Sequence, residues 1–146
     1  MTATGLEVFD TTLQQTNRWL RLMMMELATD NRRLAFAALR GALHAVRDRI
    51  GTDNAAHLGA QLPMLLRGAY YERWHPAATP THERDLAGFI DHVAAEMPHE
   101  CEASAGEAAQ ACFAVLGCCL DRGEMLKLRR QLPREVLNLW PEELLH

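Results

Sequence analysis

Leu6, Leu13, Leu20 and Leu27 recur every seven residues along the first part of the chain, and Phe9, Thr16 and Met23 follow three residues after the first three. Such spacing gives one helix an apolar stripe. Three heptads of this kind suit a helix packing on its own domain or a coiled-coil seam, and the Met23-Met24-Met25 cluster, too wide for one narrow seam, points to a homodimer. Asp30 is the expected cap of a second helix, in which Leu39, Leu43, Val46 and Ile50 keep i, i+4, i+7, i+11 spacing until Gly51. Arg33, Arg40 and Arg47 lie at seven-residue steps on the opposite face, where a solvated stripe is expected.

Thr52 and Asp53 open a short third helix towards Gln61, and Leu62-Pro63 breaks it, because proline disfavours helical backbone at the residue before it. A fourth helix runs from Pro63 to Trp74. His75 to Thr81, with Pro76 and Pro80, has loop chemistry and is the best boundary in the chain. Leu86, Phe89, Ile90, Val93 and Met97 form the stripe of a fifth helix that Pro98 closes. Ser104 with Glu107 reads as a capping box for a sixth, ended by Gly123. Glu124 to Gln131 and Arg134 to Trp140 supply a seventh and an eighth around the Leu132-Pro133 break. The expected fold is therefore a single all-α domain of about eight helices, with no convincing strand.

A repeated string divides that domain. Leu58-Gly59-Ala60-Gln61-Leu62-Pro63, followed by Trp74, matches Leu128-Arg129-Arg130-Gln131-Leu132-Pro133, followed by Trp140. Both copies read helix, Gly stop, short helix, Leu-Pro break, helix, Trp. Pairing Gly51 with Gly123, and Ala42-Leu43 with Val115-Leu116, makes the offset drift by a few residues. The pattern implies two pseudo-repeats, about 6–75 and 82–141, burying their faces against each other.

Composition agrees with helices: there are 22 Ala among 146 residues, and aromatics make up only 6%. The net charge of −4 removes the general attraction a phosphate binder relies on, so nucleic acid is not an expected partner. No apolar run approaches the ~18 residues of a membrane span, and Met1 to Asp10 lacks the pattern of a secretory signal. The expectation is a cytoplasmic protein with no membrane partner, whose cysteines (Cys101, Cys112, Cys118 and Cys119) stay reduced.

The stretches Phe9-Asp10-Thr11-Thr12-Leu13, Thr16-Asn17-Arg18-Trp19-Leu20 and Leu43-His44-Ala45-Val46-Arg47-Asp48-Arg49 are recognisable together with Ala55 to Gly68 and Tyr70-Tyr71-Glu72. From about Val8 to Trp140 the chain resembles the prokaryotic family known as domain of unknown function 2267. The resemblance implies an all-helical domain, globin-like in some classifications, with no established activity, cofactor or catalytic residue. The cysteines of the second copy depart from the family pattern.

Candidate chemistry is sparse. His99-Glu100-Cys101 brings two ligand types together, but the paired short spacings of structural zinc are missing, so no metal and no cofactor are expected. His44 and His57 would act as bases only if a carboxylate oriented them, and no paired carboxylate is expected at helical spacing beside either. No nucleophile motif or phosphate loop accompanies them. Arg67, Tyr70, Tyr71, Arg73 and Trp74 form the leading interaction patch, since arginine and aromatic side chains dominate binding hot spots; part of this group must also line the core. The basic segment Arg122, Lys127, Arg129, Arg130 and Arg134 reads as a solvated face. A non-enzymatic interaction or scaffold domain is the expected function, with a homodimer or another protein as partner. A small-molecule or cofactor-binding sensor is the alternative, and an enzyme comes third.

Overall fold

The computed structural model describes residues 3–141. Seven α-helices follow one another: α1 (Glu7–Glu26), α2 (Arg32–Arg49), α3 (Thr52–Ala60), α4 (Met64–Tyr71), α5 (Leu86–Glu96), α6 (Ala105–Cys119) and α7 (Arg122–Arg130). Two 3-10 segments, Pro76–Ala78 and Arg134–Leu139, complete the described residues, which contain no strand. The all-helical expectation holds, with the eighth helix wound as a 3-10 segment.

Local chemistry sets the helix ends. Asn31 caps α2 in place of Asp30, its side chain accepting from the Leu34 amide at 3.1 Å. Ser104 accepts from the Glu107 amide at the start of α6. Gly51 turns the chain between α2 and α3 with φ of +89°, a conformation that side chains with a Cβ rarely adopt. Gly123 does not play the matching part: α6 stops at Cys119, Asp121 caps α7, and Gly123 lies inside that helix. The helix boundaries consequently recur without drift. α2 and α6 end at residues 49 and 119, α3 and α7 span 52–60 and 122–130, and the next segments start at 64 and 134.

Both Leu-Pro breaks have one backbone shape. Gln61 and Gln131 close their helices with near-identical φ and ψ, and the prolines that follow are extended, with ψ of 147° and 144°. Leu62 and Leu132 point into the core in each case.

Helix α2 is the axis of the molecule. It packs against α1, α3, α4, α5 and α6, most extensively against α6 and α5. Alanines at 35, 38, 42 and 45 of α2 and at 108, 109 and 111 of α6 are buried and keep the two helices close. Leu39, Leu43 and Val46 fill the remaining space with Phe89, Val93, Phe113 and Leu116. Phe113 stacks on Trp140 with ring centroids 4.3 Å apart.

Because α2 is surrounded, its arginine stripe is not solvated throughout. Arg33 is exposed and Arg40 half-buried, but Arg47 is 1% accessible. Its guanidinium donates to the carbonyls of Tyr70 and Glu72 at 2.6 and 2.9 Å, and to Asp48 Oδ1 at 2.8 Å. Those carbonyls belong to the end of α4, where backbone acceptors lack helical partners. Arg47 caps a neighbouring helix from inside the core.

The leucine line of α1 does not coincide with its packing face either. The buried residues are Thr12, Thr16, Trp19, Leu20 and Met23, whereas Leu6 and Phe9 are half-exposed and Leu13 is partly exposed. At 100° per residue, the face centred on Thr12, Thr16, Trp19 and Met23 is turned by roughly a quarter of a revolution from the Leu6–Leu13–Leu20 line.

Candidate functional site

Three places combine unusual chemistry with a defined position. The first is an open groove of about 600 Å³ beside α1, α2 and α4, lined in part by Leu13, Leu20, Phe36 and Leu65. Thr12 accepts from the Leu65 amide at 2.9 Å, which fixes the start of α4 against α1. Met64 and Leu65 are half-exposed there.

The second is a narrow cleft between α3 and α7. Its walls pair residues seventy positions apart: Ile50 with Leu120, Asn54 with Glu124, His57 with Lys127, Leu58 with Leu128 and Gln61 with Gln131. His57 Nε2 lies 2.5 Å from Glu124 Oε2, linking the two walls. The cleft has room for about 40 Å³, the scale of a single water rather than of an organic ligand.

The third is a polar junction where α2 meets α5. His44 and Asp48 stand four apart on α2, and His92 and Glu96 four apart on α5, so each pair shares one helix face. Gly41 allows the approach, since a Cβ there would come within 2.5 Å of Met97 Cγ. His92 Nδ1 is 2.6 Å from Glu83 Oε1, and its Nε2 is 3.3 Å from Asp48 Oδ2. His44 is fully buried: Nε2 donates to the Ala69 carbonyl at 2.8 Å, and Nδ1 faces Glu96 Oε2 at 3.4 Å. The expectation that no carboxylate stands at helical spacing from a histidine is thus corrected. The overlooked signal was the pair of strings H-x-x-x-D at 44–48 and H-x-x-x-E at 92–96.

These neighbours move the titrations apart. The hydrogen bond that His92 donates to Asp48 raises the proton affinity of His92 above the ordinary 6.5, burial opposes it, and Glu83 adds to the rise. Burial pushes Asp48 upward, but the hydrogen bonds from His92 and Arg47 outweigh it and hold the carboxyl below its usual range. Burial lowers His44, against the pull of the Ala69 carbonyl and Glu96. A raised histidine contributes stability that is complete below 6.5 and is lost as pH rises through its folded value. His92→Gln should therefore melt below the native protein in mildly acidic, metal-free buffer, and the gap should narrow towards pH 9. A gap that stays constant across that range would show that His92 is not charged in the fold.

A profile of a conserved family, described as an uncharacterized conserved protein (DUF2267), matches residues 16–139. The chain belongs to this family. A search of curated proteins finds no match.

Within this DUF2267 domain the five patch residues have separate tasks. Arg67 donates to the carbonyls of Gly59 and Leu62 at 2.9 and 3.0 Å and so caps the end of α3. Tyr70 is buried and donates to the Ala55 carbonyl at 2.7 Å. Tyr71 packs between Tyr70 and Trp74, with centroids 5.0 and 5.3 Å away. Arg73 is exposed, 3.9 Å from Glu96. Cys112 is buried, which pushes its thiol up to about 12, while Cys118 is exposed and all four cysteines are free. His99, Glu100 and Cys101 do not converge; among the described residues, the three-membered group of close ligand atoms is Asp48, His92 and Glu96. No described helix is long and apolar enough to cross a membrane.

Proposed function

We propose that the DUF2267 domain is a non-enzymatic helical interaction domain whose α1/α4 face receives another helix, and that its occupant is a second copy of the chain. The supporting observation is the inversion along α1, which buries Thr12 and Thr16 while leaving Leu6, Phe9 and Leu13 in solvent. Burying the Thr16 hydroxyl without a hydrogen-bond partner is costly and exposing leucine forfeits apolar transfer energy, so this arrangement weakens the isolated chain and suits a helix with a partner. Ridge and groove adjoin on one face. A two-fold axis would lay Phe9 and Leu13 of one copy into the channel between Leu20, Phe36 and Leu65 of the other, and the reverse. Glu7 and Asp10 flank the ridge, and the groove is bordered by both Arg32 and Glu72. The sensor reading has less support, because the cleft between the two halves accommodates little more than one water.

Light scattering at micromolar concentration should give twice the 16.4 kDa chain mass. Leu13→Asp and Leu65→Asp should each weaken association by roughly 30-fold, about 2 kcal/mol, as expected of interface hot spots, with melting of the monomer unchanged. A native chain that remains monomeric over the whole accessible concentration range would defeat the self-association reading.

A further inference from the structure

We propose that the junction between α2 and α5 binds a divalent transition-metal ion of the zinc class through Asp48, His92 and Glu96. One ligand atom from each of the first three residues lies within 4.8 Å of the others. His92 Nε2 stands 3.3 Å from Asp48 Oδ2 and 3.8 Å from Glu96 Oε1. Tetrahedral zinc with bonds of ~2.0–2.1 Å sets its donors about 3.3 Å apart, so small side-chain adjustments bring the three to bonding distance.

The outer hydrogen bonds carry the inference further. A ligating histidine characteristically donates its other ring N–H to a carboxylate or a backbone carbonyl. His92 does so here, donating to Glu83 at 2.6 Å, and the neighbouring His44 likewise donates to the Ala69 carbonyl at 2.8 Å. Their remaining nitrogens face carboxylates. His44 borders the three ligands on the α2 side: it is fully buried, its Nε2 proton is committed to Ala69, and its Nδ1 meets Glu96 Oε2 at 3.4 Å.

Mixed imidazole and carboxylate donors without thiolate suit zinc, cobalt or manganese, not calcium or copper(I). Arg47 occupies the other Asp48 oxygen and leaves Oδ2 for the metal, while its charge moderates affinity. Partial exposure of His92, Asp48 and Glu96 leaves a way in from solvent. Binding forms the metal bond to His92 Nε2, and the proton held there passes to buffer.

The test titrates ZnCl2 into the chelator-treated full chain by calorimetry. One zinc per chain is expected, with a heat that depends on the buffer through the released proton, a raised melting point, and no comparable response to MgCl2. His92→Gln and Glu96→Gln, each verified as helical by circular dichroism, should weaken zinc at least tenfold. Cobalt on the native chain should give d–d bands without thiolate charge-transfer absorption, a readout that survives if a variant misfolds. Absence of zinc binding, a thiolate band, or affinity that persists in His92→Gln and disappears in Cys118→Ser would overturn the assignment.

Discussion

Arg47→Ala should destabilise the protein by about 3–5 kcal/mol, the range for removing one partner of a buried ion pair. The cost has three sources. Asp48 loses its 2.8 Å guanidinium contact, the Tyr70 and Glu72 carbonyls lose their donor, and the alanine leaves space beneath α4. Arg47→Lys should recover only part of the loss, since one ammonium cannot reproduce a planar fork reaching three acceptors. Thermal denaturation decides the matter. If Arg47→Ala melts within a degree or two of the native protein, the end of α4 is held by something else.

Leu62→Ala and Leu132→Ala should each cost about 2–5 kcal/mol, the transfer term plus the cavity. The two side chains are 2% and 7% accessible, although each sits at the point where its chain turns away from a helix. Turn leucines are commonly dispensable. These are held inward by the prolines at 63 and 133, whose extended backbone redirects the next segment across the leucine. Denaturant unfolding of both variants measures the effect. An unchanged midpoint for Leu132→Ala would move the repeated L-x-x-Q-L-P string from the core to the surface.

Periodicity made most of the helices legible, because apolar spacing and caps such as Ser104 are local features that the structure retains. Gly123 misled because glycine is read as a stop, whereas the stronger local signal was Asp121, whose carboxylate accepts from the Glu124 amide. Arg47 misled for a different reason. Its i+7 spacing from Arg33 and Arg40 identifies a helix face, but only the tertiary arrangement determines that the far end of this face runs beneath α4. The polar junction required both kinds of information. Its two i, i+4 pairs can be found in the sequence, yet nothing local says that residues 44–48 and 92–96 face each other; the close approach at Gly41 settles that. The heptad leucines of α1 announced a helix correctly and its packing face incorrectly, since a seven-residue repeat does not say which side meets the core.

The packing of α2 bears on the history of the chain as well as on its stability. If the halves descend from one duplicated segment, the ancestor held a single copy of the helix that is now α2 and α6. Those two helices make the most extensive contact in the fold, and each buries a row of alanines. A lone copy would have had no such surface to close upon, so the ancestral gene product would have folded as a pair of identical chains. Fusion would then have turned an intermolecular contact into an intramolecular one and made folding independent of concentration. It would also have released the two copies to diverge, in keeping with Gly117 and Ala114 standing in α6 seventy positions after Arg47 and His44 of α2.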